Sequence, residues 1–101
     1  MKFKIIDKTL KYFEIEDGDP QECKITIPEG VEVLNEYVCC DNPQLVAVVL
    51  PSTIKNINEC CFTSCENLES INFPEGLEVI GESVFDYCGN LKNVKFPETF
   101  K

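Results

Sequence analysis

Seven cysteines are the side chains of this chain best suited to chemistry, and their number and spacing argue against most of it. Because the chain has no histidine to activate a thiol nucleophile, we expect no catalytic residue and no enzyme activity. The adjacent pairs Cys39-Cys40 and Cys60-Cys61 differ from the spaced cysteines of a small disulfide-bonded domain. Zinc is the weaker alternative, since no CxxC is present. We therefore predict free thiols, no metal and no cofactor.

Carboxylates are the second group with chemical potential, and eighteen acidic residues against nine basic ones give a net charge of -9. This charge opposes direct binding to nucleic acid or to an anionic membrane. Glu36, Glu59 and Glu82 follow one another at a constant interval and predict an acidic ladder. The ladder is either a solubilising surface or a stripe that docks on lysine and arginine of a basic partner.

A repeat of 23 residues positions these side chains. Copies span residues 28–50, 51–73 and 74–96, each opening with proline, and a partial fourth copy spans 97–101. Val48 and Leu50 are separated by one residue, as in a strand whose alternate side chains point to one side. Within each copy we also predict four further features. In the third copy, Leu77 belongs to a second short extended segment and Gly81 is a left-handed residue. Val84-Phe85 form one helical or 3₁₀ turn, and Cys88 is a small buried group.

Equal spacing predicts that equivalent residues stack in the core. The two clearest columns are Val31, Ile54 and Leu77, and Leu45, Leu68 and Leu91. The left-handed positions predicted at the end of the second segment are Asn35, Asn58 and Gly81.

Residues 1–22 do not follow the repeat, and they predict a β-hairpin cap. Apolar residues alternate in residues 2–6 and 10–16 around a turn at Asp7-Lys8-Thr9. A repeat cannot bury its own terminal face, so an amphipathic hairpin over the first coil meets a physical need.

The third copy carries the string PxxVxxIGxxxFxxCxxLxxIxF, in residues 74–96. This pattern resembles the BspA-like, or Treponema pallidum type, leucine-rich repeat, over residues 23–101. The first copy departs from it, with Cys39 at the phenylalanine position and Asn42 at the cysteine position. The resemblance implies a mainly-β, right-handed leucine-rich repeat solenoid used for protein binding, as in bacterial surface adhesins and proteins of parasitic protists. It implies no catalytic residues.

Outward positions on the strands of such a solenoid are free to bind a partner. Predicted ladders run Thr26, Val49, Asn72, Lys95, then Lys24, Ala47, Ser70, Asn93, and then Cys23, Val46, Glu69, Lys92. Val46, Ala47 and Val49 form an apolar patch that, with Asn72 and Lys95, is our candidate protein-binding site. The alternative is that the cap or a loop covers the patch.

The last coil would leave an open end. Leu91, Val94, Phe96 and Phe100 lack a following polar repeat, which predicts an end-to-end homodimer or a longer array.

The function predicted from these features is a non-catalytic protein-binding module of the adhesion or scaffolding type. The alternative is an acidic inhibitor that occupies the basic nucleic-acid-binding surface of a partner protein. The alternating, charged start of the chain and its free thiols suggest the cytoplasm, and the alternative is secretion as part of a longer chain.

Overall fold

The computed structural model describes residues 1–96, apart from the side chains of Asn93 and Lys95. Successive coils of about 23 residues form the leucine-rich repeat solenoid that the sequence predicts. Within the described part, the strands are β1 (Lys2–Ile6), β2 (Thr9–Glu14), β3 (Cys23–Thr26), β4 (Val33–Leu34), β5 (Leu45–Val49), β6 (Asn56–Ile57), β7 (Ser70–Asn72), β8 (Val79–Ile80) and β9 (Asn93–Lys95).

The strands form two sheets, one on each of two sides of the coil. Sheet A has the order β1-β2-β4-β6-β8, and sheet B has the order β3-β5-β7-β9. Every neighbouring pair is parallel except β1 and β2. Parallel neighbours one coil apart place equivalent residues at equal height, which is the arrangement that equal spacing in the sequence predicts.

The cap is confirmed as a hairpin. Ile6 pairs with Thr9, and the two residues between them, Asp7 (φ 50°) and Lys8 (φ 63°), are both left-handed, as a tight hairpin turn that matches the strand twist requires. Strand β2 then pairs in parallel with β4 and buries Leu10 and Phe13 against the first coil. The cap therefore lengthens sheet A as well as covering the core.

The predicted core columns are confirmed, with Leu91 only half-buried in the last coil. Cysteine stacks at the predicted place, and its thiol has a bonding role there. The Cys65 thiol donates to the carbonyl of Cys39 (2.9 Å), and the Cys88 thiol donates to the equivalent carbonyl of Phe62 (3.0 Å). In the first copy Asn42 takes the cysteine position, and its amide donates to the carbonyl of Cys39 (2.9 Å).

A third side of the coil, here called the turn face, comprises residues 35–42, 58–65 and 81–88. The predicted helical or 3₁₀ turn is wrong, because none of these residues is helical; each segment is a series of turns. Left-handed residues occur near both ends of each segment, at Tyr37 and Asp41, Cys60 and Ser64, and Ser83 and Tyr87. An L-residue in this conformation cannot continue a right-handed helix.

Alternate N–H groups of the turn face bond to the next coil instead. Those of Tyr37, Cys39 and Asp41 donate to the carbonyls of Glu59, Cys61 and Thr63, at 3.2, 2.9 and 2.9 Å. Those of Cys60, Phe62 and Ser64 donate to Glu82, Val84 and Asp86, at 3.0, 3.1 and 2.8 Å. The turn face thus carries its own ladder of hydrogen bonds from coil to coil.

The left-handed positions predicted from the sequence are wrong, since Asn35, Asn58 and Gly81 do not have positive φ. Gly81 is small for another reason. A Cβ atom there would lie 2.6 Å from the amide nitrogen of Glu59, so the close approach of two coils excludes a side chain.

Candidate protein-binding surfaces

The outer face of sheet B carries the predicted apolar patch. The parallel register aligns Thr26, Val49, Asn72 and Lys95 in one ladder and Lys24, Ala47, Ser70 and Asn93 in another. Val46, Ala47 and Val49 are half-buried, whereas Lys24, Thr26 and Asn72 are exposed around them. The patch is therefore partly open to solvent. The side chain of Lys95 lies outside the described part of the structure.

A cavity of about 320 Å³ lies beside this patch. Val46 lines it together with Gln21, Glu22, Pro43, Asn67 and Glu69. The third predicted ladder is wrong at its first member, because Cys23 is buried at 1% exposure and pairs with Leu45. A bulge in β5 inserts Val46 between Leu45 and Ala47, the partners of Cys23 and Lys24, so Cys23 aligns with the core residue Leu45 and not with Val46.

The acidic ladder lies at the start of the turn face. Glu36, Glu59 and Glu82 are all exposed, each immediately before a left-handed residue. Within residues 1–96 none of the three forms an ion pair with a lysine. Their carboxylates are therefore available to an external cation.

A groove between the cap and the first coil was not predicted from the sequence. Its volume is about 320 Å³, and its lining is Lys11 to Ile15 from the cap and Glu36, Tyr37, Val38, Cys40 and Asn42 from the turn face. The Tyr12 hydroxyl donates to the Glu14 carboxylate, and this bond raises the pKa of Tyr12. Sequence alternation predicts the outward direction of Tyr12 and Glu14, but not that the turn face of the first coil lies beside them.

The last described coil is more open than those before it. Leu91 and Val94 are half-buried, and the ring of Phe96 is 47% exposed and stacks on Phe73 at 5.0 Å. Phe100, the remaining member of the predicted self-association site, lies outside the described residues.

The buried thiols of Cys39 and Cys65 are held in their neutral form. Burial raises the pKa of the Cys65 thiol to about 12, and a hydrogen bond with the Cys61 thiol raises the pKa of Cys39. A neutral thiol is a poor nucleophile and a poor metal ligand. In residues 1–96, no three cysteine or carboxylate side chains are arranged to hold a metal ion, and no helix is long and apolar enough to cross a membrane.

Comparison with known families agrees with this geometry. A family model described as a BspA type leucine rich repeat region (6 copies) matches residues 6–101. The chain belongs to the BspA-type leucine-rich repeat family. The match begins before the resemblance noted from the sequence, and the structure gives the reason: β2 occupies the place of a repeat strand beside β4.

The fold of this BspA-type protein is shared by a solved structure. It is similar to the crystal structure of a leucine-rich repeat protein from Bacteroides ovatus ATCC 8483, with a TM-score of 0.57 and 20% identity over 99% of this chain. The chain spans 40% of the length of that protein. Comparison with curated proteins found no match. Leucine-rich repeat proteins commonly mediate protein–protein interaction, and their fold is typically non-catalytic.

Proposed function

We propose that this protein is a non-catalytic adhesion or scaffolding module that recognises a protein partner through the outer face of sheet B. The observation that carries the proposal is the half-buried patch of Val46, Ala47 and Val49 at the centre of an otherwise polar sheet. An apolar patch rimmed by polar side chains is typical of a protein-binding surface.

The backbone supports this proposal by holding the patch rigid. β5 pairs on both sides, with β3 and with β7, so its outward side chains sit at fixed spacing on a continuous sheet. Pre-organised side chains lose little conformational entropy when a partner binds. The flanking Lys24 and Glu69 are exposed and of opposite charge, which provides a polar rim for orientation.

The test is capture of partners from a native lysate with the wild-type chain and with Val49→Lys. A charge in the centre of the interface should reduce retention of the specific partner by at least about tenfold, in low and in high salt. Val79→Lys is the matched control, since Val79 is a 51% exposed strand valine in sheet A. Equal retention by all three proteins excludes sheet B as the binding surface.

The acidic ladder favours a second candidate, an inhibitor that covers a basic nucleic-acid-binding surface. Glu36, Glu59 and Glu82 are exposed in a chain with a net charge of -9. Such binding depends on long-range attraction, so it should fall steeply with added salt. Changing all three glutamates to glutamine should abolish it while leaving the apolar interaction intact. A partner lost with Val49→Lys but retained by the triple variant excludes the inhibitor.

A further inference from the structure

The ladder of backbone hydrogen bonds along the turn face ends at the first coil. The groups at this end of the ladder are backbone carbonyls, which are acceptors. In each of the second and third coils, three turn-face carbonyls accept N–H groups from the coil before. They belong to Glu59, Cys61 and Thr63 in the second coil and to Glu82, Val84 and Asp86 in the third. The equivalent carbonyls of the first coil belong to Glu36, Val38 and Cys40. No backbone N–H of residues 1–96 donates to any of them.

The cap stands away from these carbonyls. Strand β2 pairs with β4 only at Thr9 and Leu10, and residues 11–15 then form the opposite wall of the groove. Carbonyls of the second and third coils point towards the coil before, so those of the first coil point towards the cap and into the groove. A row of backbone acceptors without a donor from the protein favours a ligand that supplies donors.

The side-chain donors of Asn42 and Tyr12 are already in use. The amide of Asn42 donates to the carbonyls of Cys39 (2.9 Å) and Cys40 (3.2 Å), and the Tyr12 hydroxyl donates to Glu14. This leaves the carbonyls of Glu36 and Val38, together with the two carboxylates of Glu14 and Glu36, as acceptors. Lys11 is the one cationic side chain among the described lining residues.

Two aromatic rings complete the site. Tyr12 is 46% exposed and Tyr37 is 55% exposed, one on each wall of the groove. Rings at this exposure can receive a flat cation against their faces. The groove thus combines backbone acceptors, carboxylates and aromatic faces.

We propose that this groove binds the guanidinium group of an arginine side chain presented by a partner protein. A guanidinium has five N–H donors in one plane and no acceptor, so every contact with the carbonyl row is favourable. An extended peptide strand suits the row less well, because each strand edge presents carbonyls as well as N–H groups and would set carbonyl against carbonyl. Lysine supplies donors as a compact, strongly hydrated charge that stacks less well on tyrosine.

This site is distinct from sheet B, so an experiment can refute the proposal for one surface without refuting the proposal for the other. Val49 lies on β5 and does not line the groove. The Val49→Lys variant should lose the protein partner of sheet B and keep its affinity for arginine.

Tyrosine fluorescence provides the test, because the chain has three tyrosines and no tryptophan. Tyr87→Phe leaves only the two tyrosines of the groove as emitters, and this variant is titrated with the blocked tripeptide acetyl-Gly-Arg-Gly-amide. We expect a saturable change in emission that weakens with salt. The lysine and citrulline tripeptides are the matched probes, and each should bind at least about tenfold more weakly. Equal binding of either one overturns the proposal, as does the absence of saturation with arginine.

Substitutions then locate the site. Glu36→Gln should weaken binding of the arginine tripeptide by about tenfold, whereas Glu59→Gln should leave it unchanged. Glu59 occupies the same position one coil later, but its carbonyl already accepts the N–H of Tyr37 at 3.2 Å. An equal loss in both variants would indicate attraction to the acidic ladder as a whole and would overturn the proposal. The ¹³C carbonyl shifts of Glu36 and Val38 should move on titration, and those of Glu59 and Cys61 should not.

Discussion

Cysteine recurs at one position of the repeat, where its thiol is small enough to stack and bonds to a carbonyl of the preceding coil. The carbonyls of Cys39 and Phe62 point inward, and the thiols of Cys65 and Cys88 meet them. A thiol is small enough to stack from coil to coil and still provides a weak donor. The amide of Asn42, at the cysteine position of the first copy, donates to the same carbonyl of Cys39. Packing and hydrogen bonding therefore explain why cysteine occupies these positions, and no chemical reaction of the thiols is needed to explain it.

Thiol reactivity should follow burial. We expect Cys65 to react slowly with a disulfide reagent at neutral pH, because its pKa of about 12 leaves almost no thiolate. The half-exposed Cys40 and Cys60 should react first. Labelling followed by peptide mass spectrometry assigns each rate, and in denaturant all seven cysteines should react. Equal native rates at Cys60 and Cys65 would contradict this placement.

The aromatic stack in the core gives a second residue-scale prediction. The rings of Phe62 and Phe85 are 5.9 Å apart and nearly parallel, and Phe62 is completely buried while Phe85 is half-buried. Phe62→Ala should therefore lower the free energy of unfolding by about 3–5 kcal/mol, measured by urea denaturation. Phe85→Ala should cost less, because solvent already reaches that ring. A larger loss for Phe85→Ala would show that the last coil is better covered than its exposure indicates.

The turn face is the element whose conformation departs most from expectation. Its left-handed positions hold tyrosine, aspartate, cysteine and serine instead of glycine. A non-glycine residue in that region carries a conformational cost, and the ladder of N–H bonds to the next coil offsets it. The segment is therefore held by its neighbours in space more than by its own sequence.

Close approach of two turn segments predicts a specific effect at Gly81. Gly81→Ala places a Cβ atom 2.6 Å from the backbone nitrogen of Glu59 and should destabilise the fold by about 1–3 kcal/mol. Gly89→Ala is the matched control, since no atom lies within 4 Å of its Cβ position. Thermal unfolding of the two variants should give a lower midpoint for Gly81→Ala only. Equal midpoints would mean that the coils separate at no cost.

Charged groups within the cap bond to one another, so we predict that the stability of the protein depends on pH. The Asp19 carboxylate accepts hydrogen bonds from the amine of Met1 (2.7 Å) and the N–H of Glu16 (2.8 Å). The bond to the amine is the main reason that the pKa of Asp19 lies below its usual 3.8, and the bond to Asp19 is the main reason that the pKa of the amine lies above 8.0.

The stabilisation from Asp19 is therefore complete above pH 3.8 and is lost as the pH falls through the lower folded value. The stabilisation from the amine is complete below pH 8.0 and is lost as the pH rises through its higher folded value. The free energy of unfolding of Asp19→Asn, measured by denaturation across this pH range, should vary less with pH than that of the wild type. Asp17→Asn changes an exposed neighbour and should keep the pH dependence of the wild type. If both variants lose the pH dependence equally, the bond between Asp19 and the Met1 amine is not its cause.

At the scale of the whole molecule, the two ends of the solenoid differ. The hairpin covers the first coil, whereas the last described coil leaves Leu91, Val94 and Phe96 in partial contact with solvent. Strand β9 is also the edge of sheet B within the described residues. An apolar end beside a strand edge with no partner within residues 1–96 favours association with another chain.

We propose that the 101-residue chain associates end to end through this coil. Sedimentation at micromolar concentration should give a mass above that of one chain, and Phe96→Asp should lower it to one chain, because a charge would be buried in the contact. Tyr87→Asp is the control, since Tyr87 is 78% exposed on the turn face, and it should leave the mass unchanged. A wild-type chain that sediments as a monomer would refute the proposal.

The coil length, the two sets of strands, the stacked core columns and the cap can all be predicted from the order of the residues. Each of these depends on local periodicity, since apolar residues at constant intervals must occupy equal heights when parallel strands pair. The other features depend on contacts between coils. Tyr37 and Ser64 are left-handed because neighbouring coils bond to their N–H groups, and Cys23 aligns with the core residue Leu45 because a bulge at Val46 shifts the register. The groove at Glu36 and Val38 exists because β2 leaves the first coil after Leu10, and no single segment specifies the distance between two segments that are remote in sequence.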